Sequence, residues 1–174
     1  IILKAKKSLN VHPSLLPFGR GRDPIVWAIR NDEPAGVTLH QISKTVDQGL
    51  ILFQEEVNYK FPINGKNLYQ KVISRCVDVF HKQWPILRSN DTDTGLLQDL
   101  SKQYITSRRS DLIKDGTINL DNNKIYRELI LRILAHDFGE DYSSKVLYNE
   151  KCYSLKIKLE EVNLELNTNL MKKV

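Results

Sequence analysis

Residues 10–17 read Asn-Val-His-Pro-Ser-Leu-Leu-Pro, and this stretch carries a short strand into a loop. Apolar and polar residues alternate up to His12, which predicts a strand, and Pro13 ends it because proline has no N–H to donate to a neighbouring strand. Side chains two positions apart on a strand face the same side, so Asn10 and His12 would present an amide and an imidazole to one site. An imidazole can carry a proton near neutral pH and an amide can donate to an oxyanion, so the pair suits nucleophilic attack on a carbonyl.

Asp47 is the best candidate for the carboxylate that would orient such a histidine. It lies in the turn at 46–49, Val-Asp-Gln-Gly, between predicted strands at 37–42 and 50–57 that we expect to pair as a hairpin. A turn beside the sheet could direct the carboxylate toward His12. The residues alone leave a plainer interpretation open: a histidine before a proline is more often packed or exposed than catalytic, and a turn aspartate often only stabilises its own turn.

Two helices are predicted in the first half of the chain. Asp23 and Pro24 predict the cap and the first position of a short helix. An apolar stripe that follows a cap at or near Asn67 predicts a long helix, which Pro85 should end. The stripe consists of Leu68, Val72, Cys76, Val79 and Phe80.

The second half has weaker signals until its last third. We expect residues 98–120 to be irregular, with a helix over 124–135 capped by Asp121 or Asn122. Residues 145–159 then contain two alternating runs, Lys145–Tyr148 and Cys152–Leu159, around a short polar turn. This pattern is typical of a β-hairpin with one exposed face.

The charge of the chain is concentrated in its first half. The net charge of the 174 residues is +5. Residues 1–87 carry 12 Lys and Arg against 7 Asp and Glu, whereas residues 88–174 carry 14 of each. The excess indicates either an anionic ligand or simple solvation, which we weigh equally. No basic stripe with interleaved aromatic residues is present, so the sequence does not favour a nucleic-acid partner.

Other function classes are disfavoured by what the sequence lacks. No apolar run approaches the roughly 20 residues that span a bilayer, so we expect no membrane partner. Cys76 and Cys152 have no metal-site or disulfide-framework spacing. We therefore expect no metal and a reducing, cytoplasmic location.

Further motifs extend the first stretch into a family resemblance. The run from Ser8 to Val57 resembles the 10-formyltetrahydrofolate-dependent formyltransferases, which include glycinamide ribonucleotide, methionyl-tRNA and sugar N-formyltransferases. The resemblance implies that Asn10, His12 and Asp47 are the catalytic residues. Besides 10–17, it rests on Gly19-Arg20-Gly21, Asp23-Pro24, Trp27-Ala28-Ile29, Gly36-Val37-Thr38, Val46-Asp47-Gln48-Gly49 and Ile51.

The resemblance also implies the fold. We expect an α/β protein with a Rossmann-like formyltransferase core that is N-terminally incomplete, because the chain enters at the catalytic strand. Residues 1–88 would be the C-terminal part of this core, and residues 96–162 a C-terminal extension of helix and β-hairpin. Residues 163–174 would be a tail.

The later segments select a branch of the family. Residues 108–112, 118–121, 126–132 and 145–159 resemble the C-terminal region of nucleotide-sugar N-formyltransferases. The implied acceptor is a nucleotide-linked amino sugar of the dTDP-4-amino-4,6-dideoxyhexose type, used in O-antigen or surface-polysaccharide synthesis. Alternatives are a methionyl-tRNA or glycinamide ribonucleotide enzyme, or an inactive fragment that serves only as an interaction surface. The neutral second half disfavours the tRNA enzyme, because phosphate binding needs clustered Lys and Arg.

The implied reaction is direct formyl transfer from 10-formyltetrahydrofolate, with no metal. Asn10 and protonated His12 would stabilise the oxyanion, and Asp47 would hold His12 and help a proton pass from the amine to the leaving nitrogen. The backbone of Lys44, Thr45, Val46 and Asp47 would line part of the pterin pocket.

Several weaker assignments complete the predictions. Arg20 and Arg22 flank the glycine loop and could bind a pyrophosphate, although a solvated role is equally open. His40 could face the same cleft from its strand, but strand histidines are commonly structural. The hairpin over 145–159 is a plausible homodimer contact.

Overall fold

The structure is a computed structural model, and it describes residues 8–89, 95–101, 106–116, 118–137 and 143–160. The chain divides into two units, residues 1–112 and residues 113–174, each of which is described by itself. The tail predicted at 163–174 lies outside the described residues.

The first unit contains a three-stranded antiparallel sheet in the order β1-β2-β3. Strand β1 is Leu9–His12, β2 is Gly36–Gln41 and β3 is Ile51–Glu56, which confirms the three predicted strands and the predicted pairing of β2 with β3; β1 pairs with β2 as well. Asn10 lies opposite His40, and His12 lies opposite Thr38. Directly opposed residues share a face, so β1 and β2 present one polar surface that carries both histidines.

Helices cover the other face of this sheet. Helix α1 is Pro24–Arg30 and helix α2 is Gly65–Ser89. The hydrophobic core lies between these helices and β2, because Val37 and Leu39, two positions apart on the strand, point toward the helices and are apolar. Its buried members are Ile25, Ala28, Ala35, Val37, Leu39, Leu68, Val72 and Val79.

The long helix departs from prediction at both of its ends and along its stripe. Pro85 lies inside α2 and does not end it; proline removes only one N–H, and the Ser89 hydroxyl donates to the Pro85 carbonyl one turn later. At the start, Asn64 rather than Asn67 is the capping side chain: it accepts from the Asn67 N–H at 2.9 Å. Phe80 is exposed, so the buried stripe is narrower than its apolar pattern indicates.

The cap of α1 also differs. Asp23 holds the N-cap position, but its side chain makes no capping hydrogen bond and its backbone is left-handed, with φ of 56°. Its backbone carbonyl, rather than its side chain, contributes a hydrogen bond to the start of the helix, accepting from the Val26 N–H at 3.0 Å. The prediction of a helix starting at Pro24 is confirmed, and the side-chain cap is wrong.

The later elements are helices and one hairpin. Helix α3, Arg109–Gly116, occupies part of the segment expected to be irregular. Helix α4 spans Lys124–Ala135 as predicted, but the side chain of Asn123 is its cap, rather than Asp121 or Asn122. Strands β4, Ser144–Tyr148, and β5, Lys151–Leu155, form the predicted hairpin, although β5 ends four residues earlier than expected.

Candidate active site

The three predicted catalytic residues lie together at the polar face of β1, and His40 joins them. Nε2 of His12 lies 3.8 Å from Oδ2 of Asp47, and Nε2 of His40 lies 3.7 Å from Oδ1 of the same carboxylate. Nδ2 of Asn10 is 3.3 Å from Nε2 of His40. The imidazole rings are perpendicular, with centroids 6.2 Å apart. One carboxylate therefore faces two histidines, and the Asn10 amide lies against one of them.

His40 is held as a neutral imidazole. Its Nδ1 lies 2.8 Å from the carbonyl oxygen of Gln41, which can only accept, so we assign the ring proton to Nδ1. Its Nε2 is then free to accept from the Asn10 amide. The ring is 2% exposed, and burial lowers the pKa of His40, although the Gln41 hydrogen bond and the Asp47 charge oppose this effect. A buried neutral His40 thus fixes which end of the Asn10 amide points into the site.

His12 is oriented by the glycine loop. Its Nε2 lies 3.0 Å from the carbonyl oxygen of Gly19, which assigns a proton to that nitrogen. The Asp47 carboxylate lies slightly farther from the same nitrogen. The two acceptors hold the buried ring between the loop and the Asp47 turn.

Asp47 is fixed by contacts from distant parts of the chain. Its backbone is left-handed, with φ of 52°. Its Oδ2 accepts from the Gly21 N–H at 2.8 Å, and Nε2 of Gln98 donates to the carbonyls of Asp47 and Gly49, both at 2.9 Å. No residue with a side chain fits at Gly49 without a shift of the backbone, because a Cβ would lie 1.7 Å from the Gln41 carbonyl oxygen. The turn is therefore clamped on three sides.

The sequence only partly predicts two further positions of this site. It places His40 at the same cleft but gives it no role, because the pairing of β1 with β2 that sets His40 opposite Asn10 is not predicted. No local pattern marks Gln98, because its two hydrogen bonds reach back 51 and 49 residues.

The predicted pterin-contacting residues form the exposed approach to this turn. Lys44, Thr45 and Val46 are all exposed, and the Ser43 hydroxyl donates to the Thr45 carbonyl at 2.8 Å. Backbone amides and carbonyls are the groups that the amide and amino edges of a pterin would need. The segment adjoins Asp47 and fits such a ligand in its chemistry.

The two predicted phosphate-binding arginines have different environments. Arg20 is 5% exposed, which differs from the solvated loop arginine considered for it, whereas the Arg22 side chain is 62% exposed. Ser107 holds both backbones: its N–H and hydroxyl donate to the Arg20 carbonyl, and its carbonyl accepts from the Arg22 N–H. Only Arg22 is thus presented to a ligand at the surface.

A cavity of about 420 Å³ opens beside His12. The loop and α1 contribute Arg22, Asp23 and Ile25 to its wall, and α2 contributes Tyr69 and Ile73. Binding sites for small molecules commonly have this volume and a wall that is largely apolar with a few polar groups.

The described residues contain neither a candidate metal site nor a candidate membrane span. Over the described ranges, no group of three His, Cys, Asp or Glu side chains is arranged to hold a metal ion. Within the same ranges, no helix has both the length and the apolar character needed to cross a membrane.

Comparison with known proteins identifies the family. Residues 2–82 match the family model described as formyl transferase. This part of the chain belongs to the formyltransferase family, which confirms the resemblance carried by the motifs. Solved formyltransferases have the same fold, so the α/β prediction is also confirmed.

Three similar proteins illustrate the match. The chain is 32% identical over 163 residues to the bifunctional polymyxin resistance protein ArnA of Wigglesworthia glossinidia brevipalpis, covering 91% of the chain and 24% of ArnA. It is 33% identical over 97 residues to the GDP-perosamine N-formyltransferase of Brucella melitensis, covering 55% and 37%. The formyltransferase PseJ from Anoxybacillus kamchatkensis, in complex with UDP-4,6-dideoxy-4-formamido-L-AltNAc and tetrahydrofolate, matches with a TM-score of 0.54 at 27% identity, covering 78% of this chain and 61% of PseJ.

Proposed function

We propose that the complete protein carrying this chain transfers a formyl group from 10-formyltetrahydrofolate to the amine of a nucleotide-linked amino sugar. The observation that carries the proposal is the convergence of Asn10, His12 and Asp47 on one half-buried face, with His12 Nε2 at 3.8 Å from the Asp47 carboxylate. Folate supplies the activated formyl group when it is bound. The chain spans 24% and 37% of the length of the two curated relatives above, so the activity of the whole protein is inferred from this part.

Each residue has a role that its contacts support. Asn10 gives one N–H to His40 and keeps the other for the oxyanion that develops on the formyl oxygen. Removal of one such donor typically costs about 2.7–4 kcal/mol of transition-state stabilisation. His12 stabilises the same oxyanion beside it. Asp47 holds the imidazole and passes the proton released by the attacking amine to the folate nitrogen that leaves as its bond to the formyl carbon breaks, through water where the gap requires it.

The acceptor class is supported by charge and by relatives. The second half of the chain carries no excess of positive charge, which is the opposite of what a tRNA backbone requires. PseJ was solved with a formylated UDP-sugar, and the Brucella relative is named for GDP-perosamine. We infer a 4-amino-4,6-dideoxyhexose linked to a nucleoside diphosphate, for cytoplasmic synthesis of a surface polysaccharide.

The cavity beside His12 is the proposed acceptor site. A hexose fills only part of about 420 Å³, so the space also admits the first phosphate. Arg22 lies on its wall with an exposed guanidinium group, which suits that phosphate. Lys44, Thr45 and Val46 lie at the Asp47 turn and are proposed for the folate side.

The test is a formyl-transfer assay on the complete protein with 10-formyltetrahydrofolate and a panel of acceptors. The panel contains dTDP- and UDP-linked 4-amino-4,6-dideoxyhexoses, methionyl-tRNA and glycinamide ribonucleotide. We expect mass spectrometry to detect formamido sugars only. Formylation of tRNA or ribonucleotide alone would replace the sugar proposal, and inactivity toward every acceptor would favour an interaction surface.

A homodimer through the C-terminal region also remains a proposal. Helix α4 and the hairpin expose large apolar side chains, including Ile125 and Leu147. Such surfaces are commonly covered in oligomers. Sedimentation of the complete protein should show a dimer that Ile125→Glu weakens; a monomer at all concentrations would exclude it.

A further inference from the structure

Asp23 is an acidic residue on the wall of the cavity that also contains His12. Its Oδ2 atom is buried and has no hydrogen-bond partner among the described residues. Its ion pair with Nε of Arg22 spans 4.0 Å, which is too long for a hydrogen bond, and the Arg22 side chain is mostly exposed. A carboxylate oxygen that is removed from water in this way lacks the donor that such groups usually have.

The backbone at Asp23 is strained without an evident local benefit. Its φ of 56° and ψ of 45° are left-handed, a conformation that glycine adopts more easily, and the following Pro24 adds a further restriction. Its side chain does not cap α1. Strained residues tend to lie at ligand sites, where the strain directs a functional group. Here the strained residue lines the cavity.

We propose that Asp23 binds the amino group of the acceptor sugar, an inference that rests on the proposed function. An amine in the cavity supplies N–H donors to this carboxylate, which lines the wall and lacks donors of its own, and a positively charged amine makes a charge-assisted hydrogen bond that a hydroxyl cannot match. His12 lies on the same wall, so an amine held there stands at the reacting end of the cavity. Asp23 thus distinguishes an amino sugar from the corresponding hydroxy sugar before any chemistry occurs.

The test distinguishes the effect of the Asp23 carboxylate from the effect of the strained backbone at Asp23. Asp23→Gly fits the left-handed conformation and removes the carboxylate, whereas Asp23→Asn keeps the shape and removes the charge. Asp32→Gly is the matched control, because Asp32 is also left-handed, with φ of 54°, but is exposed and lies outside the cavity wall. Each variant of the complete protein is titrated calorimetrically with dTDP-4-amino-4,6-dideoxyglucose and with its hydroxy counterpart, dTDP-6-deoxyglucose.

We expect both Asp23 variants to fold and to bind the amino sugar roughly 10- to 100-fold more weakly, which is the usual loss for one hydrogen bond to a charged group. Binding of the hydroxy sugar and all binding by the control should change by no more than about twofold. Equal losses for the two sugars, or no loss, would overturn the role of Asp23 while leaving the proposed function intact. Failure of the unmodified protein to bind or formylate amino sugars would instead overturn the proposed function, and this inference with it.

Discussion

The two units of the chain differ in how they hold their side chains. In the first unit, the Asp47 turn and the glycine loop are tied to segments far along the sequence, through Gly21, Gln98 and Ser107. In the second unit, the contacts are local: Asn123 caps its own helix, and β4 pairs with the strand that follows it. Ile125 and Leu147 there are 75% and 79% exposed.

The difference shows where exact placement is required. A reaction centre needs groups fixed to within fractions of an ångström, and contacts between distant segments provide that rigidity. The contacts described above for the second unit join residues that are close in the sequence. Changes to distant contacts in the first unit should therefore have larger effects than changes to surface positions.

The largest effect is expected for Gly49→Ala. The new Cβ would lie 1.7 Å from the Gln41 carbonyl oxygen, so β2 or the Asp47 turn must move. We expect a loss of about 3 kcal/mol or more in the free energy of unfolding, measured by urea denaturation. Gly65→Ala is the control, since its Cβ meets nothing within 4 Å. Equal stability of the two variants would show that the turn is not clamped as described.

Asp47→Asn should abolish most activity without unfolding the protein. Asparagine tolerates the left-handed backbone and can still accept from the Gly21 N–H, but it carries no charge toward His12. Loss of general acid–base catalysis typically lowers kcat by about 10²- to 10⁴-fold. Near-full turnover of a folded variant in the formyl-transfer assay would remove Asp47 from the catalytic set.

Gln98→Ala tests the distant clamp itself. It deletes two hydrogen bonds to the carbonyls of Asp47 and Gly49, so we expect a loss of about 1–3 kcal/mol in stability. We also expect a lower kcat with little change in the acceptor KM, because Asp47 loses its support while the cavity is intact. Gln70→Ala, at an exposed position of α2, is the control. An unchanged kcat would make Gln98 merely structural.

The pH dependence of the free energy of unfolding should reflect the lowered pKa of His40. Burial lowers its folded pKa below the ordinary value of 6.5, so the unfolded chain binds the proton more readily. The stabilising contribution is therefore complete above pH 6.5 and is lost as the pH falls from 6.5 toward the folded pKa. His40→Gln should flatten this part of the curve in denaturation experiments. A slope unchanged by the substitution would contradict a buried neutral His40.

The smallest effect is expected in the alkylation rates of the two cysteine thiols, one from each unit. Burial raises the pKa of Cys76 to about 11, whereas Cys152 is exposed on β5. Iodoacetamide should therefore alkylate Cys152 first in the folded protein, and mass mapping should find Cys76 modified only after unfolding. Cys152→Ser should remove the rapid phase with almost no effect on stability. Rapid labelling of Cys76 would show that α2 opens readily.

These contrasts also explain what could be predicted from the sequence. Strand β1, the β2–β3 pair and the bounds of α4 follow from patterns within a few residues, and so do Asn10, His12 and Asp47 as candidates. Continuation of α2 past Pro85 goes against a local signal that usually ends a helix; the proline removes only one N–H, and the Ser89 hydroxyl donates to its carbonyl. Gln98, and Asp23 as a cavity residue, depend on folding in three dimensions, which leaves no periodic trace in the sequence.

The clamp on the Asp47 turn has a consequence for the order of events during synthesis. The three strands are complete once residue 56 has been made, but Gln98 follows Asp47 by 51 residues, and Ser107 follows Arg20 by 87. Domains begin to fold from the N-terminal side as the chain is translated. The sheet can therefore pair on the ribosome well before Asp47 is held in place, so the nascent protein has its three strands paired while the proposed site is still incomplete.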